Sequence, residues 1–357
     1  MTTSALKLRD RDAIITKEGI IFRVYGYTHP MNGYVCDPEY APKDVYQSTQ
    51  TRALRQGPDQ TQVYYKFYAD EGLRFIHQNY PRYMVLYRPL GKRLVGVKKE
   101  DIDKVREPQG RFQELIQNPP GDELVSEMQA LDDILRARTN LKTSDFGVFG
   151  SLLHGFYDPR YSDLDFIVYG RTQLKRLQQL LEQSNEENGS RLANEFSDEN
   201  SIKDKAWQFK NYTPKEYVWH QKRKLIYTLF RGKTRTLKAE FEPVKRWEEI
   251  QNAYNPKQRI SRKGWIKARA RITDDKDASF MPSIYEIEPL EGIGVRNVHR
   301  ILSYVEEFRL QAGIGEIVDV EGNLEEVTTD EEVFQQITLT YGPRYYEQVL
   351  KVSKLGP

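Results

Sequence analysis

The sequence predicts an α+β protein of more than one domain, and three observations lead to this prediction. The chain has 357 residues, which is longer than one ordinary domain. Short runs typical of β-strands and amphipathic runs with helical spacing occur together along it. In the middle of the chain, the pair Gly150-Ser151 is followed, after eleven residues, by the acids Asp163 and Asp165.

Composition excludes several classes of protein. Charged residues make up 30% of the chain and hydrophobic residues 38%, as in water-soluble globular proteins, and no run approaches the roughly twenty apolar residues of a membrane span. The N-terminus lacks the apolar core of a signal peptide. Cys36 is the only cysteine, which excludes an intramolecular disulfide and a zinc–cysteine cluster. We therefore expect a cytoplasmic protein with no membrane partner.

Residues 1–115 are predicted to form an N-terminal α+β domain. A hairpin is expected over residues 13–24, turning at Glu18-Gly19, and the other strands are expected at residues 61–69, 83–87 and 93–97. Tyrosines are abundant in this region, which favours a sheet with an aromatic, packed face.

Residues 116–252 are predicted to form a second domain, which contains the acidic motif. A Pro-Pro-Gly linker precedes a helix that runs to Arg138, a short apolar strand over residues 145–149, and the Gly150-Ser151 turn. If a helix begins at this turn, its free N–H groups and its positive dipole end suit a phosphate.

The next strand is expected over residues 162–169 and brings the two acids together. Side chains two residues apart on a strand point to the same face, so Asp163 and Asp165 would lie side by side. The apolar residues between and after them would be buried on the other face. Two carboxylates aimed at one point suit Mg²⁺ or Mn²⁺.

These residues resemble the signature of the DNA polymerase β-like nucleotidyltransferase superfamily. The matching residues are Phe149-Gly150-Ser151 and Asp163-Leu164-Asp165-Phe166, about eighteen residues in all. The resemblance is strongest to predicted archaeal nucleotidyltransferases that carry extra domains on both sides. It implies a core of mixed sheet and helices, with an N-terminal α+β domain before it and a β-rich domain after it.

The resemblance also implies a third acid on a strand beside the first two. Strands are expected over residues 225–230 and 236–242, and the second contains Ala239-Glu240-Phe241. We choose Glu240 as the third carboxylate, and Glu242, which shares its face, is the alternative.

The implied reaction is transfer of a nucleoside monophosphate from an NTP to an acceptor hydroxyl. Asp163, Asp165 and Glu240 would hold two divalent ions, and Gly150 and Ser151 would fix the triphosphate. Candidate triphosphate contacts are Arg160, Lys222, Arg223 and Lys224. His154 lies one turn beyond Ser151, and a structural role is favoured over a phosphate contact.

Charge is distributed unevenly and bears on the acceptor. Residues 203–271 contain twenty Lys/Arg and six Asp/Glu, a net charge of +14, whereas residues 283–357 contain six and fourteen, a net charge of −8. The basic segment also contains all four tryptophans: Trp207, Trp219, Trp247 and Trp265. Any one tryptophan is best explained as core, but the basic block as a whole favours a nucleotide or single-stranded nucleic acid as partner.

Residues 253–357 are predicted to form a C-terminal β-rich domain. Strands are expected over residues 265–272, 283–288, 315–320 and 333–341, and a helix over residues 295–308. These elements fit a small barrel, OB-like among others, or an α+β domain. Gly292-Ile293-Gly294 partly resembles the hairpin of helix-hairpin-helix proteins, but a strand is expected where the first helix of that motif would stand.

The acceptor remains open between three hypotheses. The leading one is an RNA end, because of the basic segment and the additional domains. The second is a protein or small-molecule acceptor. The third is a nucleic-acid-binding protein built on a nucleotidyltransferase fold that has lost activity. The oligomeric state cannot be inferred from the sequence.

Overall fold

The computed structural model describes residues 6–56, 62–197, 209–251, 254–291, 298–342 and 344–353. The described chain is a mixture of helices and several β-sheets, so the α+β fold class is confirmed. It divides into two compact units. Unit 1 comprises residues 1–87, 91–177 and 232–254, and unit 2 comprises residues 88–90, 178–231 and 255–357.

The N-terminal region of unit 1 is built on an eight-stranded sheet. Its strands are β1 (Ala13–Thr16), β2 (Ile21–Val24), β3 (Gly33–Pro42), β4 (Leu54–Gln56), β5 (Val63–Lys66), β6 (Met84–Tyr87), β7 (Lys92–Lys98) and β8 (Ile102–Arg106). The order is β4-β5-β3-β2-β1-β8, with β7 pairing with β3 and β6 pairing with β7. The predicted hairpin is confirmed, because β1 and β2 are antiparallel and Gly19 turns between them with φ of 78°.

Three helices of unit 1 precede the acidic motif: α1 (Glu71–Asn79), α2 (Pro108–Gln117) and α3 (Glu123–Thr139). The predicted helix after the Pro-Pro-Gly linker corresponds to α3. The Asp122 carboxylate caps it by accepting a hydrogen bond of 3.0 Å from the Val125 backbone N–H. Asn140 ends it in the left-handed conformation.

The motif itself lies on β9 (Phe146–Val148), α4 (Gly150–His154) and β10 (Leu164–Tyr169), and unit 1 also includes β13 (Thr236–Val244). Strand β10 pairs antiparallel with β9 and parallel with β13. Phe166 of β10 is fully buried and packs against an aromatic core, with ring centroids 5.3 Å from Phe241 and 5.7 Å from Phe112.

The predicted boundary at residue 115 does not separate two compact units. A shared apolar cluster explains this, because Tyr40 and Tyr64 of the N-terminal sheet pack against Leu153 of α4 and against Phe156 just after it. The Tyr64 and Phe156 rings are stacked, with centroids 4.5 Å apart. The N-terminal sheet and the motif therefore belong to one folded unit.

Unit 2 contains a pair of antiparallel strands, a helix and a β-barrel. Helix α5 (Arg171–Glu186) begins in unit 1 and ends in unit 2, followed by β11 (Leu192–Asn194), α6 (Pro214–Arg223) and β12 (Tyr227–Arg231). The barrel strands are β14 (Arg259–Asp277), β15 (Ser283–Glu291), β16 (Val298–Ser303), β17 (Ile317–Thr328), β18 (Val333–Leu339) and β19 (Val349–Val352). Pairing runs β14-β15-β16-β18-β17 and returns to β14, so five strands close into a ring. This is the small barrel that the sequence allowed.

Three expectations for these segments need correction or fall outside the description. The helix predicted over residues 295–308 is wrong where the chain is described, since residues 298–303 form β16. Its valine and isoleucine spacing imitates a helix, but Ile301, Ser303 and Val305 alternate into the barrel core. Trp207 and Gly292-Ile293-Gly294 lie outside the described residues.

The two charged blocks of the sequence meet within unit 2. Basic side chains of β14 form ion pairs with acids on the neighbouring strands: Lys263 with Glu326, Lys267 with Glu321, Arg269 with Asp319, and Arg271 with Glu288. Three of these pairs join residues that are direct cross-strand partners. Much of the uneven charge along the sequence is therefore offset across the barrel.

No helix in the described part of the chain is both long and apolar enough to cross a membrane.

Candidate functional site

The two acids of the motif lie at the start of β10 on one side of the sheet. Asp163 is exposed, just before the first residue of the strand, and Asp165 is half-buried. Leu164, Phe166 and Val168 alternate with them and are fully buried on the other side. The charge of Asp163 acts on the Asp165 carboxyl, which fits two carboxylates on the same side.

The structure places Glu240 next to this pair. In the parallel pairing of β10 with β13, Glu240 is the direct partner of Asp165, and the buried Phe241 is the partner of Phe166. Because directly opposed residues of neighbouring strands share a face, Glu240 and Asp165 lie on the same face of the sheet. Of the two glutamates considered, Glu240 is the one beside the motif.

Glu242 is committed elsewhere. It is buried, and its Oε2 accepts a hydrogen bond of 2.7 Å from the guanidinium of Arg11, which is also buried. The partner of Glu242 in β10 is Ile167, which belongs to an apolar cluster with Tyr169 and Val244. Glu242 therefore lies at the buried, apolar end of this face of the sheet, whereas Glu240 lies at the end that carries the acids.

Burial and neighbouring carboxylates raise the pKa of Asp165. Burial, followed by the Glu240 carboxylate, raises the pKa of Asp165 to about 7, and Asp163 and Glu39 act in the same direction. The Lys66 ammonium acts in the opposite direction and lowers the pKa of Asp165. A bound cation would relieve this repulsion and favour the ionised form.

The Gly150-Ser151 turn approaches the Asp165 carboxylate closely. Gly150 has φ of 59°, and a Cβ built on it would lie 2.7 Å from Asp165 Oδ2. The Phe149 backbone N–H also donates to the Asp165 carbonyl oxygen at 3.1 Å. Only glycine combines this backbone conformation with this approach, so the turn and the acid form one local structure.

Helix α4, which begins at Gly150, has five residues and ends at Gly155. One turn of helix has little macrodipole, so the dipole effect expected from the sequence is small here. Ser151, in its first turn, is half-buried. Any anion contact from this turn would come from individual N–H and O–H groups.

A fixed loop connects α4 to β10. Arg235 donates hydrogen bonds of 3.1 Å and 2.9 Å to the carbonyl oxygens of Pro159 and Ser162. Arg160, a predicted triphosphate contact, is exposed and paired with Asp158 at 3.0 Å. Tyr161, two residues before Asp163, is 76% exposed.

His154 has structural contacts. It is buried, its Nδ1 lies 3.1 Å from the Arg106 guanidinium, and its ring packs against Tyr40 and Phe156. Burial lowers the pKa of His154, against the effect of the nearby Glu39. The neutral imidazole is thus the form that the fold holds.

The other predicted phosphate contacts, Lys222, Arg223 and Lys224, belong to unit 2 at the end of α6. Arg223 donates to both carboxylate oxygens of Glu316, at 2.8 Å and 2.9 Å, and lies over the Trp219 ring. Lys224 is buried and donates to the Glu307 carbonyl oxygen. Arg223 and Lys224 therefore have partners within unit 2, and Lys222 is exposed.

Sequence reasoning missed three residues of this site. Lys66 and Glu39 come from the N-terminal sheet and act electrostatically on Asp165. Arg235, which holds the loop before β10, comes from the turn that precedes β13. No local pattern marks any of them, because each reaches the site only through strand pairing that is distant in sequence.

The residues present fit a divalent cation by their chemistry. Asp163, Asp165 and Glu240 supply hard oxygen donors whose mutual repulsion a cation would relieve. Among the described residues, however, no group of three or more His, Cys, Asp or Glu side chains is already arranged as a metal site. Binding would therefore require these side chains to turn toward one another.

Comparisons with known proteins give no family. No family model matches the chain, and no solved structure matches it. The chain is 26% identical over 356 residues to an uncharacterized protein of Methanocaldococcus jannaschii, a match that covers 98% of this chain and all of that protein. Since that relative has no known activity, the functional assignment depends on the motif and its geometry.

Gly150→Ala is predicted to impair the site more than the fold. Gly155→Ala is the matched control, since Gly155 also has positive φ but no atom within 4 Å of an added Cβ. Each change should lower the free energy of unfolding by about 1–3 kcal/mol through backbone strain, as measured by urea unfolding. Only Gly150→Ala must displace the Asp165 carboxylate, so only it should weaken Mg²⁺ binding in calorimetric titration. Equal Mg²⁺ affinities in the two variants would contradict this role for Gly150.

Asp165→Asn is predicted to stabilise the metal-free protein at pH 8. The folded-state pKa of Asp165, about 7, lies above its ordinary value of 3.8, so the free energy of unfolding should fall as pH rises between these values. Removing the charge should therefore raise that free energy at pH 8, by roughly 2 kcal/mol, and leave it little changed below pH 4.

The comparison variant is Asp163→Asn, because its exposed carboxylate raises the pKa of Asp165 less than burial and Glu240 do, so its removal should stabilise the protein less. Urea unfolding in the presence of a chelator measures both variants. A destabilised Asp165→Asn variant at pH 8 would show that Asp165 is not under repulsion in the fold.

Proposed function

We propose that this chain is a metal-dependent nucleotidyltransferase that moves a nucleoside monophosphate from an NTP to an acceptor hydroxyl, most favourably on an RNA end. The observation that supports it is a single arrangement. A glycine turn touches Asp165, Asp163 lies on the same side, and Glu240 is the direct partner of Asp165 on a parallel strand. The mixed pairing of β9, β10 and β13, with α3 before them and α4 between β9 and β10, supports a polymerase β-like core.

Asp163, Asp165 and Glu240 are the residues that would hold Mg²⁺ or Mn²⁺. When bound, such ions neutralise phosphate charge and lower the pKa of an acceptor hydroxyl. The acceptor oxygen forms a bond to the α-phosphorus of the NTP, the bond to the β-phosphate bridging oxygen breaks, and pyrophosphate leaves. Glu240 is half-buried beside Asp165 and is our candidate to accept the hydroxyl proton.

The backbone and side chain of the turn would position the triphosphate. Gly150 lets the backbone pass close to the Asp165 carboxylate. Ser151 follows it with a hydroxyl group that can donate a hydrogen bond. Arg160 could serve the phosphates only by exchanging its ion pair with Asp158, which is inexpensive for exposed groups. Arg223 and Lys224 are weaker candidates, because both are engaged within unit 2.

A second candidate function is nucleic-acid binding on the same fold without catalysis. The observation that favours it is the lack, among the described residues, of a ready group of three metal-binding side chains. A protein or small-molecule acceptor is the other alternative. The ion pairs across β14 favour a protein or small-molecule acceptor, because they offset part of the basic charge that pointed to RNA.

Incubation with α-labelled NTPs, Mg²⁺ and total RNA is predicted to place label in RNA. Asp163→Asn, Asp165→Asn and Glu240→Gln should each reduce labelling to a few per cent of wild type or less, because each removes a ligand of the ions that the transition state needs. Asp133→Asn is the control, since its carboxylate is 74% exposed on α3 and distant in sequence from the motif.

The location of the label decides between the alternatives. Label found in protein or in a small molecule would identify that molecule, and not RNA, as the acceptor. No label from a folded wild-type protein, with any of the four NTPs and either Mg²⁺ or Mn²⁺, would contradict the nucleotidyltransferase proposal and leave the binding protein.

A further inference from the structure

The β4–β5 ribbon of the N-terminal sheet carries two basic residues on the face that packs against the segment after the glycine turn. Lys66 is the direct partner of Tyr40, and Arg55 is the direct partner of Tyr64. Paired residues share a face of the sheet, so all four lie on one face. Tyr40 and Tyr64 pack against Leu153 and Phe156, which immediately follow the Gly150-Ser151 turn.

Electrostatic coupling indicates that Lys66, on this face, lies near Asp165. Lys66 is close enough to Asp165 and to Glu39 to lower the pKa of both carboxyls, against the effect of burial. The charges of Arg55 and Asp165 both act on the hydroxyl of Tyr40. The basic residues of this face and the carboxylates therefore belong to the same unit, with Lys66 near Asp165.

Among the described residues, the cations of this region have no ion-pair partner: no carboxylate lies within ion-pair distance of Arg52, Arg55 or Lys66. Arg55 instead donates to the carbonyl oxygens of Arg52 and Leu54, at 2.7 Å and 2.9 Å, which fixes its guanidinium in place. By contrast, Arg160 and Arg223 each have a carboxylate partner.

An aromatic ring completes the surface. The Arg52 guanidinium lies 4.3 Å from the centre of the Tyr68 ring, and an Arg55 nitrogen lies 3.5 Å from the Tyr68 hydroxyl. Cations without acidic partners beside an aromatic ring are typical of surfaces that bind phosphate groups joined to bases.

We propose that Lys66 and Arg55, with Arg52 and Tyr68 beside them, form a phosphate-binding wall of the site. Its ligand is a chain of phosphates, supplied either by the triphosphate of an NTP or by the backbone of a single nucleic-acid strand. This inference rests on the proposed function for the identity of the substrates, but it concerns binding and not transfer.

The test measures binding to the full-length protein by filter retention, with labelled ATP in Mg²⁺ and with a short labelled single-stranded RNA. The variants are Lys66→Gln and the double variant Lys66→Gln/Arg55→Gln. The Lys66 side chain makes no hydrogen bond or ion pair with another described residue, so the single variant should fold normally. The control is Lys92→Gln/Arg93→Gln, which removes the same charge from exposed positions of β7 in the same sheet.

We expect the double variant to lose at least about tenfold in affinity for one of the two ligands, with the control unchanged. Loss confined to ATP would identify the triphosphate as the ligand. Loss for RNA, with the slope of log affinity against log salt reduced by about 1.4 for two lost contacts, would identify the strand.

Two results would overturn the inference: equal affinities in the double variant and its control, or no binding of either ligand by the wild-type protein. Failure of the proposed function has a different signature. If the wild-type protein transfers no nucleotide but the double variant still loses affinity for ATP or RNA, the phosphate-binding wall is supported and the transferase proposal is contradicted.

Discussion

The pairing of β10 with β13 is the constraint on which the site depends. It aligns Asp165 with Glu240 on one face and Phe166 with Phe241 on the other. The buried aromatic face fixes the register, because a slip by one residue would turn the phenylalanines outward and the acids into the core. The same packing that stabilises the strands therefore buries Asp165 and holds it beside Glu240, and these two effects raise its pKa.

The N-terminal sheet is part of the site and not merely attached to it. Tyr40 and Tyr64 pack on the segment that follows the glycine turn, and Lys66 and Arg55 are their direct cross-strand partners. The opposite sides of the site thus come from stretches of chain about a hundred residues apart. Since one apolar cluster joins them, the positions of the acids and of the basic wall are not independent.

Local patterns predicted the parts of the site that lie close in sequence. The alternation around Asp163 and Asp165, the glycine before α4 and the glutamate of β13 all follow from residue spacing, and the structure brings them together. Lys66, Glu39 and Arg235 could not be found this way, because their place depends on sheet order and long-range pairing. The predicted helix over residues 295–308 failed for a related reason, since barrel closure recruits Ile301 and Ser303 as a strand despite their helical spacing. The basic block was visible in the sequence, but its acidic partners on β15 and β17 were not.

Crystals soaked with Mn²⁺ and a non-hydrolysable NTP analogue offer the most direct measurement of the central claim. Anomalous scattering locates manganese without reference to activity. The account predicts a peak at coordination distance from Asp163, Asp165 and Glu240, roughly 2.0–2.3 Å from their oxygens, with the triphosphate beside Gly150. Manganese bound elsewhere, or a nucleotide bound with no metal at these three carboxylates, would contradict it.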